Sequence, residues 1–160
     1  MRATFKQNDQ VVHPKHGLGC IGTTESHEYG GQEARFLTIE FDRAMLTVRI
    51  PEGKLATSGV RPLCSRDIMR AALAIVSEPK AAPGGHWSKR RVELEEKLNS
   101  GEPKLLAQLV RDLSGGSSAS SGRLYREALM RLAEELAAVE GVAPDRAQAM
   151  IEERLPPRKD

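Results

Sequence analysis

The chain has 160 residues, which is enough for one ordinary domain or two small ones. With 24 Lys and Arg against 22 Asp and Glu, the formal net charge of +2 is too small to indicate a polyanionic partner by itself. No segment approaches the roughly 20 apolar residues of a membrane span, and the N-terminus lacks a signal-peptide pattern. Two separated cysteines favour free thiols in a reducing compartment, so we expect a soluble, cytoplasmic protein.

Residues 1–64 have the pattern of short β-strands separated by tight turns. Pro14 and Pro51 end two of the apolar runs, and Gly30-Gly31 is a strong hairpin signal. Four or five short strands joined in this way predict a small, strongly bent sheet or barrel. The predicted strands are 10–13, 20–29, 34–41 and 45–50, and the predicted turns are 16–19, 30–31 and 42–43.

From Ser65 the apolar spacing becomes helical. Ser65 can cap a helix over 66–77, which Pro79 ends, and residues 80–85 form a Pro/Gly-rich linker. The expected fold is α+β with two domains: a β-sheet domain over 1–64, a helix and linker over 65–85, and a compact all-α bundle over 86–157. The further predicted helices start after Ser88, at Pro103, near Ser121 and at Pro144, with a flexible Ser/Gly-rich loop at 114–122.

The most informative stretch is Gly-Gly-His-Trp-Ser-Lys-Arg-Arg at 84–91, which holds the only tryptophan. Ser88 is a good N-cap, which would place the cations of 89–91 in the first helical turn. Cations are unfavourable at that end of a helix dipole, and a bound phosphate would remove the conflict. Trp87, beside such a site, could stack on a base or insert between bases.

A structural interpretation of the same stretch stays open. Trp87 would precede the cap and Val92 would be the fourth helical residue, which is the spacing of a hydrophobic staple. A stapling tryptophan with solvated cations beside it would give the same sequence. The two interpretations can hold together if one edge of the ring packs and the other stays exposed.

Arg49 is the other residue that the sequence singles out. It lies in the predicted strand 45–50, which could be at the edge of a sheet. An exposed edge can accept a strand from a partner protein, with side chains supplying specificity. An ordinary surface arginine is the alternative.

The sequence gives no support for catalysis or for a cofactor. His13 and His16 have no further ligand nearby at zinc spacing, and the Gly17-x-Gly19 pair lacks the third glycine and the helix of a dinucleotide loop. No Gly-x-x-x-x-Gly-Lys loop occurs. We therefore predict a protein that is not an enzyme and that holds no cofactor or metal.

Several separate segments, in the same order along nearly the whole chain, resemble the CarD/CdnL family of bacterial transcription regulators. The β part alone would be less specific, because transcription-repair coupling factors have a similar module. The matching segments are Phe5-Lys6 with Asp9, 11–14, His16-Gly17, 46–51, 87–90, 94–98 with Ser100-Gly101, and 110–113.

The resemblance implies a Tudor-like N-terminal domain that docks on the RNA polymerase β subunit. It also implies a helical domain that contacts promoter DNA near the upstream edge of the -10 element. Trp87 would be a wedge at the upstream fork of the bubble, slowing its collapse, and Lys89 and Arg90 would bind phosphates. The other residues implied for DNA binding are His86 and Arg91. Those implied for polymerase binding are Arg49, Leu46, Thr47, Val48, Ile50 and His27. At the position of His27 the family is expected to have an arginine.

The function expected from this resemblance is stabilisation of the promoter open complex by a cytoplasmic monomer, associated with the nucleoid through RNA polymerase. One alternative is a protein-interaction adaptor that makes no DNA contact. Another is an architectural DNA-binding protein that acts without polymerase and binds free duplex tightly. Residues 86–160 hold thirteen cations and thirteen anions, which disfavours that second alternative.

Overall fold

The computed structural model describes residues 5–41, 45–80, 87–115 and 119–156. The chain divides into two compact units, Met1–Leu63 and Cys64–Asp160. In the described residues the first unit is built from β-strands and the second from α-helices, so the predicted α+β class is confirmed.

The β unit is a single antiparallel sheet of five strands in the order β4-β3-β2-β1-β5. Strands β4 and β5 are therefore the two edges. A short 3-10 helix, Glu52–Thr57, follows β4. The strands are β1 (Gln10–His13), β2 (Gly17–Tyr29), β3 (Gln32–Phe41), β4 (Leu46–Pro51) and β5 (Arg61–Pro62).

The turns of the sheet agree with the sequence at one place and differ at another. Gly30 and Gly31 have φ of 58° and 81°, so both adopt the left-handed conformation of a tight hairpin, as predicted. The turn predicted at 16–19 is wrong, because β2 begins at Gly17 and Gly19 pairs with Val11. The predicted turn at 42–43 lies outside the described residues.

Gly19 is needed for close packing and not for a turn. A Cβ atom at this position would lie 2.6 Å from Cε1 of Phe41, well inside van der Waals contact. Phe41 is fully buried in the core of the sheet. The other buried members of that core are Val11, Ile21, Leu37, Ile39 and Ile50.

The helical unit contains five α-helices in the part of the chain that the structure describes. Their apolar faces form one core, made mainly of leucine and alanine. Each of these helices is too short or too polar to cross a bilayer. The helices are α1 (Arg66–Val76), α2 (Trp87–Ser100), α3 (Pro103–Leu113), α4 (Ala119–Glu140) and α5 (Pro144–Glu152).

The predicted signals at the helix ends hold for α1, α3 and α5. Ser65 Oγ accepts a hydrogen bond from the Ile68 amide at 3.2 Å, and Pro103 and Pro144 are the first residues of their helices. Helix α1 packs on α3 within the helical unit, whereas the predicted domain bounds set 65–85 apart as a helix and linker.

Helix α4 begins earlier than the sequence indicates. It includes 119–122, which the low-complexity pattern assigned to a loop; residues 116–118 and the linker residues 81–86 lie outside the described ranges. Ser and Gly are weak helix formers, but Leu124 and Ala128 are fully buried in the core. Packing of that face outweighs propensity at the start of the helix.

Candidate protein-docking and nucleic-acid-binding sites

The predicted docking strand is an edge of the sheet. Strand β4 pairs with β3 on one side and has no strand on the other among the described residues. Side chains alternate along it, so Val48 and Ile50 turn towards the core while Thr47 and Arg49 lie on the opposite, exposed face. Of the predicted polymerase-binding residues in this strand, Ile50 is therefore a buried packing residue.

Arg49 and His27 come together on one carboxylate. Arg49 Nη2 lies 3.4 Å from Glu25 Oε2, and His27 Nε2 lies 3.3 Å from the same oxygen. Because β3 separates β2 from β4, the Arg49 side chain extends across β3 to reach Glu25. The Arg49 side chain remains 61% exposed, so the ion pair with Glu25 orients the guanidinium and leaves it accessible to a partner.

Met45, directly before β4, was not singled out by the sequence analysis, whereas its neighbour Leu46 was predicted for polymerase binding. Met45 is 93% exposed, the highest value among the large apolar residues that the structure describes, and Leu46 is 39% exposed. Met45 also has φ of 49°, a left-handed conformation that costs a residue with a Cβ roughly 1–2 kcal/mol. An alternating strand pattern does not predict this exposure, because the exposure of a residue at the start of a strand depends on how far the core extends along that strand.

The structure changes the predicted start of helix α2. The helix includes Trp87, so Ser88 is a residue of its first turn and is not the N-cap. A hydrophobic staple needs its first residue outside the helix, whereas Trp87 is the first residue of α2. Val92 is also 57% exposed, which contradicts the predicted staple. His86 lies outside the described residues.

Charge is distributed unevenly along α2. Its first turn holds no acidic residue, and the exposed Lys89 and half-buried Arg90 lie there. Arg91 Nε lies 3.5 Å from Glu95 Oε1 one turn later. Acidic side chains follow at 93, 95 and 96, so only the N-terminal end of α2 is suited to a phosphate.

Two arginines of helix α4 donate hydrogen bonds to α2. Arg123 Nη2 donates to Glu95 Oε1 at 3.0 Å, and Arg131 Nη1 donates to the Leu98 carbonyl at 3.1 Å. Arg91 and Arg123, each about half exposed, thus share the single carboxylate of Glu95 and leave a local excess of positive charge. Arg123 extends the basic cluster onto a second helix, which no local sequence pattern indicates.

A second set of hydrogen bonds connects the residues after α1 with the C-terminal end of α3. Arg111 Nη1 donates to Glu78 at 2.9 Å and Arg111 Nε donates to Asp112 at 2.8 Å, and the bond to Asp112 is the main cause that raises the pKa of Arg111. Lys80 Nζ donates to the Ser114 carbonyl. These bonds fix the C-terminal end of α1, after which the chain continues to Trp87.

The histidine pair of the β unit has structural roles. His13 Nδ1 accepts the Lys15 amide at 3.0 Å, and the His13 and His16 rings both lie against Phe41. Among the residues described, no three His, Cys, Asp or Glu side chains group as they would around a metal ion.

The comparisons with known proteins match both units in order. The family model described as the CarD-like/TRCF RID domain matches residues 5–64, and that of the CarD C-terminal domain matches residues 71–152. A Bacillus subtilis (strain 168) protein named "Putative transcription factor YdeB" is 26% identical over 143 residues, covering 86% of this chain and 94% of that protein.

Proposed function

The chain belongs to the CarD family of transcription factors, and we propose that it docks on the RNA polymerase β subunit and stabilises the promoter open complex. The observation that carries the proposal is the match of both family domains, one after the other, to the two units of the fold. The family is one of transcription factors and not of enzymes. In this role the protein would act as a monomer in the cytoplasm, at the nucleoid.

The β unit would supply the docking surface. Strand β4 offers an open edge for a partner strand, and Arg49 lies exposed on the outer face beside Glu25 and His27. Of the residues that the family resemblance suggests, Thr47, Arg49 and His27 are the ones on this face, and Leu46 is partly exposed at the start of β4. Val48 and Ile50 would act indirectly, by packing β4 on the core.

The helical unit would supply the DNA contact. Lys89, Arg90 and Arg91 lie in the first turns of α2, and Arg123 adds a cation from α4. We propose that these side chains bind backbone phosphates, with His86 beside them. Trp87, the first residue of α2, is the proposed wedge at the upstream fork of the bubble.

A wedge of this kind favours the open complex by differential binding. Inserting a ring between base pairs costs unstacking energy on intact duplex and less where the duplex is already opening. A ligand that binds one of two states more tightly shifts their equilibrium by that difference. The bubble would therefore collapse more slowly while the protein is bound.

The docking step is tested by charge reversal at Arg49. Arg49→Glu places a carboxylate beside Glu25 and reverses the charge that this edge presents to its partner, so the electrostatic complementarity of the docking surface should be lost. We expect polymerase binding to fall at least tenfold, about 1.4 kcal/mol. The measurement is affinity for the core polymerase of the same organism, by anisotropy of the labelled full chain.

Arg146→Glu is the matched control, because Arg146 is 63% exposed on α5 of the other unit. It should bind polymerase as the wild type does. Wild-type affinity of Arg49→Glu would overturn the docking assignment, whereas equal losses in both variants would indicate a general charge effect.

A further inference from the structure

Met45 combines two features that stability alone would not select. Its side chain is almost fully exposed, and its backbone has a left-handed φ of 49°. The other described residue with a positive φ and a side chain is Asn8, an amino acid that tolerates this conformation. A large apolar side chain held in this way stabilises nothing within the described structure, which points to a contact outside the chain.

The position of Met45 beside the proposed docking strand indicates which partner its side chain would contact. It directly precedes β4, and its neighbour Leu46 is the partly exposed first residue of that strand. Met45 and Arg49 are four residues apart, roughly 13 Å along an extended chain. A single extended segment of a partner could therefore cover both.

We propose that Met45 forms an apolar anchor that inserts into an apolar pocket of the RNA polymerase surface paired with β4. This inference rests on the proposed docking function and adds Met45 as the residue that fixes the register of the pairing. Backbone pairing at a sheet edge is the same at every register, and a slip of one residue turns each side chain to the opposite face. With an apolar anchor at the start of the paired segment and Arg49 further along it, the partner strand can pair with β4 in one register only.

Two substitutions separate the anchor from a structural role. Met45→Asn removes the apolar side chain but introduces a residue that adopts positive φ readily, so stability should stay equal or rise. Met45→Leu keeps an apolar side chain of similar volume. The full-length variants are compared with wild type and Arg49→Glu for core polymerase affinity and for thermal unfolding midpoint.

We expect Met45→Asn to bind polymerase about tenfold more weakly, which matches the loss of one buried side chain. Its unfolding midpoint should be no lower than that of the wild type, and Met45→Leu should stay within about twofold in affinity. Binding and stability that fall together in Met45→Asn would overturn the anchor in favour of a structural role.

The remaining outcomes distinguish the anchor from the docking site. Wild-type affinity of Met45→Asn with a clear loss in Arg49→Glu would overturn the anchor and leave the docking strand in place. Wild-type affinity of both variants would overturn the anchor together with the assignment of docking to β4, whereas absence of polymerase binding by the wild type would overturn the proposed docking function itself.

Discussion

At the scale of single residues, Arg49 and Gly19 are both positioned by contacts with residues that are distant in the chain. Arg49 stands out in its strand, but its partner Glu25 lies two strands away in the sheet. Gly19 stands out as a glycine, yet its neighbour Phe41 is more than twenty positions later in the chain. A local pattern does not contain such distant contacts, so Gly19 is easily mistaken for a turn residue.

Gly19→Ala should destabilise the β unit, because the new methyl group would overlap the buried Phe41 ring. Overpacking of this kind costs about 1–3 kcal/mol. The measurement is the free energy of unfolding from denaturant titration. Gly53→Ala is the control, because a Cβ at Gly53 meets nothing within 4 Å. Equal stabilities of the two variants would contradict the packing role of Gly19.

At the scale of elements, periodicity predicts which helices and strands form but does not fix where they begin. The α1 start was predictable because Ser65 is a preferred N-cap residue whose side chain accepts a hydrogen bond from the Ile68 amide. Ser88 gives an equally good local signal, but a serine is also tolerated within a first turn. In the structure α2 starts at Trp87, so the prediction based on Ser88 wrongly placed Trp87 outside the helix.

The basic N-terminal end of α2 should bind DNA phosphates, and this binding can be detected through the salt dependence of the DNA affinity. Lys89→Ala combined with Arg90→Ala should lower the slope of log affinity against log salt by about two for promoter fork-junction DNA, since each lost phosphate contact releases one counterion fewer. The measurement is DNA affinity of the full chain over a salt series.

Lys104→Ala combined with Arg146→Ala removes the same charge from α3 and α5 and serves as the control. It should leave the slope close to that of the wild type. An unchanged slope in the α2 double variant would contradict phosphate binding at this end of the helix.

At the scale of the whole molecule, each unit has a core of its own and carries one of the proposed sites. The helical half is neutral overall, so its affinity for free duplex should be low. Docking of the β unit would hold the helical unit near the promoter at a high effective concentration. The charge balance predicts the low affinity for free duplex and the family resemblance implies the two sites, whereas the apolar anchor at Met45 and the added cation Arg123 depend on packing and need the structure.

The central claim is that the protein slows collapse of the open complex and that Trp87 carries this effect. The most direct test is the open-complex lifetime on a ribosomal-type promoter with the cognate polymerase, without factor, with wild type and with Trp87→Ala. We expect wild type to prolong the lifetime and folded Trp87→Ala to lose most of the gain. Equal prolongation by both would contradict the wedge, and no change with wild type would contradict the proposed function and favour an adaptor without DNA contact.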